Sequence, residues 1–195
     1  MLAAGLGRRF GGPKLLAIFR GRGLVSHVLE AATTAQARGL LAGVHAVVAE
    51  GDTAIEKLAA SAGAAIVANP EPARGLSSSL KLGLAALPPD LDAVLVLLGD
   101  QPLVRLEVME SLVKAWRQGG SGVVRPRYAS TPDAPGHPVL LARRVWPLAA
   151  RLEGDSGFGE LFAPGAPDVM VLDVPGNNPD VNTPADLLAL KGPRP

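Results

Sequence analysis

The sequence predicts an α/β fold in three layers, with a mainly parallel sheet and helices on both faces. Two observations lead there. Short apolar or β-branched runs alternate with helix-length amphipathic runs along the chain, the order that parallel sheets produce. One run, Asp92 to Asp100 (DAVLVLLGD), is continuously apolar almost to its end, as a strand covered by helices on both faces requires. The chain has 195 residues, no internal repeat and no stretch long enough to separate two domains. One domain over residues 1–195 is therefore expected.

The elements follow in order. Met1 to Ala4 is a short first strand. Leu24 to Gln36 sets Leu24, Val25, Val28, Leu29 and Ala32 on one stripe of an amphipathic helix, with Ser26 as the cap of a slightly shorter alternative. Gly43 to Ala49 (GVHAVVA) is a buried strand in which His45 packs rather than binds. Thr53 to Ala62 is a helix capped by Asp52 or Thr53, and Ala64 to Ala68 a third strand. In Asn69 to Leu82, Pro70 and Pro72 keep the chain extended, Gly75 turns it, and Ser77 begins a helix reaching Leu87. Three serines in a first helical turn offer hydroxyls and N–H groups to an anion or a sugar, although an ordinary serine cap reads equally well. Beyond the apolar strand come a helix from Leu106 to Gln118 and a strand from Gly122 to Pro126. A polar, proline-rich surface loop from Tyr128 to Pro135 follows, then a last strand from Met170 to Val174. Thr183 and Pro184 read as the cap and first residue of a final helix.

Composition excludes several classes. Lys and Arg number 19 against 18 Asp and Glu, so the basic excess of a general nucleic-acid binder is missing. With no cysteine there are neither disulfides nor thiolate metal sites. The longest apolar run, Ala93 to Leu98, is far short of the roughly 18 residues of a membrane span. Met1 to Phe10 lacks the pattern of a secretory signal, and a cytoplasmic protein is expected.

The chemistry concentrates in the first sixteen residues, MLAAGLGRRFGGPKLL. Glycines let the backbone approach a ligand closely, and Arg8, Arg9 and Lys14 add positive charge, the combination a polyphosphate needs. The run fits neither a P-loop, which needs Gly-Lys-[Ser/Thr], nor the G-x-G-x-x-G turn. Taken alone, it also reads as a basic surface turn. Asp100, in Gly99-Asp100-Gln101-Pro102, stands just past the end of the apolar strand, where α/β sheets place their ligands. As a turn former for the next helix it would be equally at home. His137 suits a turn as well as a ligand. Asp180, ahead of Thr183, has no structural duty evident from sequence and is free to bind a metal.

These segments carry a resemblance. L-A-A-G-x-x-x-R-x-G-G-x-K, from Leu2 to Lys14, resembles the signature loop of nucleotidyltransferases with a Rossmann-like fold. Gly75 to Ser79, Gly99 to Pro102, Gly136 to Pro138 and Asp180 to Asp186 are similar to four further motifs of the molybdenum cofactor cytidylyltransferase branch, the MobA-like NTP transferases. Members of the branch usually carry more residues before L-A-A-G, so either an upstream start or an unusually short first strand is expected here.

The resemblance implies transfer of CMP from CTP to the phosphate of molybdopterin, with pyrophosphate released. It implies catalytic roles for Arg8, Lys14 and Asp100. It implies a nucleotide site from Leu2, Ala3, Ala4, Gly5, Leu6, Gly7, Arg8, Lys14, Gly75, Ser77, Ser78 and Ser79, and acceptor contacts from Gln101, Pro102, His137 and Asp155. Mg²⁺, with Mn²⁺ as a substitute, would be held by Asp100 and Asp180. A molybdoenzyme or its chaperone would receive the product. Glu153 to Gly159 departs from the branch, which carries an arginine where Gly159 stands. Two rivals remain: the same chemistry with GTP or on a sugar phosphate, and a nucleotide-binding accessory protein without catalysis.

Overall fold

The computed structural model describes residues 1–133, 136–157, 159 and 168–192. The strands are β1 (Leu2–Ala3), β2 (Ile18–Phe19), β3 (Arg22–Gly23), β4 (His45–Ala49), β5 (Ala65–Asn69), β6 (Ala93–Val96), β7 (Val123–Tyr128), β8 (Val139–Ala142) and β9 (Val169–Val174). The helices are α1 (Leu24–Ala37), α2 (Thr53–Ser61), α3 (Leu76–Ala85), α4 (Leu106–Gly119) and α5 (Pro184–Lys191). Short 3-10 segments cover Lys14–Leu16, Pro72–Arg74 and Arg143–Arg151.

The expected α/β architecture is present. One sheet segment runs β5-β4-β1, all parallel, and another runs β6-β8-β7-β9. Leu2 joins them: its N–H donates to the Leu97 carbonyl at 2.8 Å, and its carbonyl accepts from Gly99 N–H at 2.9 Å. The exception to the parallel order is β8, antiparallel to both β6 and β7. The chain thus leaves β1 toward β4 and β5, then crosses back to lay β6 on β1's other side. Such a reversal opens a crevice at the carboxyl ends of the two neighbouring strands.

Two apolar clusters flank the sheet. Val25, Val28, Leu29 and Ala32 of α1 pack with Ile55 and Ala59 of α2 and with Met109 and Leu112 of α4. On the other face, Leu80 of α3 packs with Val145, Trp146 and Ala149. The continuous apolar run of β6 follows from this geometry: Leu95 and Leu97 enter one cluster, Val94, Val96 and Leu98 the other. A smaller cluster of Phe19, Leu24, Val181 and Leu187 ties α5 to the β2–β3 hairpin, an element with too short a pattern to be read in sequence.

Most element ends shift by one or two residues from expectation, with reasons in the caps, while β6 ends at Val96, four residues short of the expected Asp100. Asp52, not Thr53, caps α2 by accepting from Ile55 N–H at 3.2 Å. Ser26 caps nothing, since α1 starts at Leu24 after extended Gly23. Thr183 and Asp186 form the capping box of α5, with Pro184 in its first turn. Tyr128 belongs to β7 rather than to the loop after it, and Ala134 and Pro135 of that loop lie outside the described residues. Among the described residues, no helix is long and apolar enough to cross a membrane.

Candidate active site

The crevice between β1 and β6 is a cleft of about 560 Å³. Its lining includes Leu2, Ala3, Ala4, Gly5, Leu6, Gly7, Arg8 and Lys14 from the first loop, Gly75 and Ser79 from the start of α3, and Asp100, Asp155 and Asp180. Arg9 and Asn182 also line it.

The loop's shape depends on Gly7. At φ +60° its carbonyl receives Phe10 N–H at 2.9 Å and Gly11 N–H at 3.2 Å, and a Cβ there would stand 2.6 Å from the Gly12 carbonyl oxygen. The chain therefore curls tightly back to deliver Lys14. The N–H groups of Gly5, Leu6, Gly7, Arg8 and Arg9 make no hydrogen bond to the described residues. Unpaired donors beside a polar cleft are what an anion requires.

Lys14 Nζ lies 2.5 Å from Asp100 Oδ2, and both side chains are largely shielded, 11% and 18% exposed. Lys14 also reaches Asn182 Oδ1 at 3.4 Å, and Arg9 donates to the same oxygen at 3.2 Å. Val181 N–H donates to the Asp100 carbonyl at 3.0 Å, which fixes the Asp180–Asn182 segment beside the end of β6. Asp180 accepts from Gln101 Nε2 at 2.5 Å, and Gln101 Oε1 accepts from Asn178 Nδ2 at 3.1 Å. Desolvation raises the Asp180 carboxyl above its ordinary value. The Gln101 hydrogen bond opposes this, and the negative charge of Asp100 adds to it.

Several sequence-assigned residues stand elsewhere. Ser77 is buried in α3. Ser78 Oγ donates to the Gly75 carbonyl and accepts from Asn69. Ser79 alone of the three lines the cleft, and it too accepts from Asn69, at 2.9 Å. The start of α3 is already engaged: Asp155 Oδ1 accepts from Leu76 N–H at 3.4 Å, and the Gly154 carbonyl from Ser77 N–H at 3.0 Å. Gly75, at φ +87°, makes room for this turn; a Cβ there would fall 2.4 Å from the Gly154 carbonyl carbon. Gln101 and Pro102 are buried behind the cleft rather than facing it, and Gln101 orients Asp180. His137 is also set back from the lining. Its carbonyl accepts from Tyr128 OH at 2.8 Å and Asn178 Nδ2 at 3.2 Å. Burial first, then the charge of Arg125, push the His137 ring down to about 4, against the pull of Asp100. Gly159 is exposed and brings no cation.

Sequence reading counted Arg9 among the loop's cations but left it out of the site, and gave Asn178 and Asn182 no role. The signal for Arg9 was present, because counting the L-A-A-G pattern from Leu2 places its arginine on Arg9 rather than Arg8. Asn178 and Asn182 act only through contacts across 77 and 168 residues, which no local pattern reveals.

Asp100 and Asp180 form an all-oxygen pair, and no group of three or more His, Cys, Asp or Glu side chains able to hold a metal occurs among the described residues. Two carboxylates lining one cleft fit a hard cation such as Mg²⁺, which takes one or two carboxylates and completes its shell with water and other oxygen ligands.

Known proteins resemble the chain at three levels. A family model described as the MobA-like NTP transferase domain matches residues 1–169. The bifunctional protein GlmU of Micrococcus luteus is 37% identical over 142 residues, 70% of this chain, which spans only 28% of that protein. The crystal structure of Rv0371c from Mycobacterium tuberculosis in complex with manganese superposes with a TM-score of 0.79 at 28% identity, covering 97% of this chain and 94% of that one. Molybdopterin-guanine dinucleotide biosynthesis protein A from Archaeoglobus fulgidus shares the fold, with a TM-score of 0.66 at 22% identity over 97% and 94% of the two chains.

Proposed function

The chain belongs to the MobA-like NTP transferase family, and from that premise we propose that its whole length acts as one cytidylyltransferase domain, moving CMP from CTP to the phosphate of molybdopterin. The observation that carries the reading is the facing pair of Lys14 and Asp100 in a cleft where the N–H groups of Gly5 to Arg9 have no partner among the described residues.

In this reading the free N–H groups of Gly5 to Arg9 receive the triphosphate, and Arg8, Arg9 and Lys14 neutralise it. An oxygen of the acceptor phosphate attacks the α-phosphorus. The new P–O bond forms as the α–β bridging bond breaks, and its electron pair leaves with pyrophosphate. An ionised phosphate needs no base, so the chain's contribution is alignment and charge stabilisation. Lys14 exchanges Asp100 for phosphate oxygen as substrate enters. Gln101, held by Asn178, fixes the Asp180 carboxyl at the cleft. Asp100 and Asp180 would hold Mg²⁺ or Mn²⁺, which supplies charge neutralisation on the phosphates. The manganese bound by the similar Rv0371c favours a divalent ion.

The test mixes the protein with each of the four nucleoside triphosphates, Mg²⁺ and molybdopterin, and follows pyrophosphate. Release with CTP above the others is expected. Release with GTP favours guanylyl transfer. Triphosphate binding without release under any combination favours an accessory protein.

A further inference from the structure

Joined through Leu2, the two sheet segments end at β5 on one side and at β9 on the other. A strand at the end of a sheet leaves half of its backbone N–H and C=O groups without a ladder partner, and another strand can pair with them. Charge, proline or a bulge on the edge strand ordinarily prevents this. β9 carries such a charge: its exposed Asp173 pairs with Arg127 at 2.5 and 2.9 Å. β5 has none of these devices. It reads AIVAN, contains no proline, and keeps register with β4 through five consecutive pairs without a bulge. No charged residue stands between Lys57 and Glu71. Ala65, Ile66 and Ala68 are exposed, Ile66 to 41%.

The ladder fixes which groups are free. Ala65 N–H donates to the Val44 carbonyl at 2.8 Å, and the Asn69 carbonyl accepts from Glu50 N–H at 2.9 Å. Ala65, Val67 and Asn69 therefore turn their backbone groups toward β4. Successive residues of a strand alternate in direction, so Ile66 and Ala68 point theirs away from the sheet. There they make no hydrogen bond to the described residues. Donors and acceptors thus lie in a row along a neutral, apolar edge.

We propose that the β5 edge is a homodimer interface, at which a second copy of this chain pairs antiparallel about a two-fold axis at Val67. Ile66 then faces Ala68 of the second copy, and Ala68 faces its Ile66. Each N–H donates to the C=O opposite, so the free groups of both edges are satisfied at once, as an isologous contact requires. Large Ile66 meets small Ala68 on one face of the joined sheet, and the two Val67 side chains meet on the other. Beyond the strand, Glu71 is held by Arg74 at 3.0 Å, so the pairing sets no bare like charges together. A second copy fits better than an arbitrary strand, because neutrality and large-against-small spacing repeat themselves under the two-fold.

The test measures the mass of the full chain by sedimentation equilibrium over a concentration series. A species of twice the 20.0 kDa chain is expected, dissociating on dilution. Ala68→Pro removes an N–H that points outward, which an edge strand tolerates. It deletes two bonds per dimer and should raise the dissociation constant roughly 5- to 150-fold. Ile66→Lys places a charge on the edge and should also favour the monomer, with an unchanged melting temperature at low concentration. The chain has no cysteine, so Val67→Cys should give an intermolecular disulfide on mild oxidation, whereas Glu110→Cys, exposed on α4, should not. A wild type that is monomeric at every concentration overturns the proposal and leaves the edge to another occupant. So does a dimer that neither Ala68→Pro nor Ile66→Lys weakens, or one that Val67→Cys fails to link, since its interface then lies elsewhere or in another register. Should Ala68→Pro not fold, Ile66→Lys and the disulfide decide.

Discussion

Lys14 Nζ and Asp100 Oδ2 lie 2.5 Å apart although 86 residues separate them in sequence. Each is the other's partner, and both line the cleft. A triphosphate with its metal offers Lys14 phosphate oxygens and Asp100 a cation, so this one contact can be exchanged for two stronger ones.

Asp100→Ala is therefore expected to fold, because Lys14 keeps Asn182 at 3.4 Å and an open cleft. Turnover should nearly vanish. Lys14→Ala should lower kcat/KM roughly 10- to 150-fold, the loss of a charge-assisted contact of about 1.5–3 kcal/mol. Melting curves and pyrophosphate release measure both. A folded Asp100→Ala enzyme with near-normal rate removes Asp100 from the chemistry.

Asp180 and Asp186 separate activity from stability. Asp186 Oδ2 accepts from Thr183 N–H at 2.7 Å and Asn182 N–H at 2.9 Å, and these bonds hold its carboxyl below the ordinary range. Asp186→Ala should lower stability, because it removes the N3 half of the capping box, with little change in rate per folded molecule. Asp180→Ala should do the reverse. Urea unfolding beside steady-state kinetics checks the pair, and an inactive but fully stable Asp186→Ala protein contradicts the division.

Gly75→Ala places a methyl group 2.4 Å from the Gly154 carbonyl carbon at φ +87°. Strain on the order of 1–3 kcal/mol is expected, relieved by pushing the Gly154–Asp155 turn off the start of α3. The melting temperature should fall, and KM for the nucleotide should rise, since Gly75 and Asp155 both line the cleft. An unchanged melting temperature would show that the turn yields freely.

His137 carries a pH prediction. Its folded value is about 4 against 6.5 when unperturbed. As pH falls below 6.5 the unfolded chain takes the proton first, so this residue's contribution to stability is lost between about pH 6.5 and 4 and changes little below that. His137→Gln should flatten that part of the profile of unfolding free energy against pH. Identical slopes in the two proteins would remove His137 as the cause.

Ala4, 4% exposed, lines the cleft beside Gly5. Under the cytidylyl proposal a methyl group there would take space a purine needs, an effect of about 1–3 kcal/mol. Ala4→Gly should raise kcat/KM for GTP and leave CTP nearly unchanged. A wild type that already prefers GTP would defeat the cytidylyl reading; an unmoved ratio in the variant would place selectivity elsewhere.

Sequence by itself determined the α/β class, because a strand covered on both faces must be apolar throughout and amphipathic helices must show their stripe. Local chemistry also disclosed the Gly7 loop, the carboxylate shortly after β6 and the Thr183 cap of α5, each written within a few consecutive residues. Tertiary structure alone decided how those pieces serve one another. It turned Gln101 inward to hold Asp180 and engaged the start of α3 with Asp155. A residue's type and neighbours in sequence set what it can bond. Which bond it makes depends on groups tens of residues away, brought within 3 Å only when β1 slots between β4 and β6.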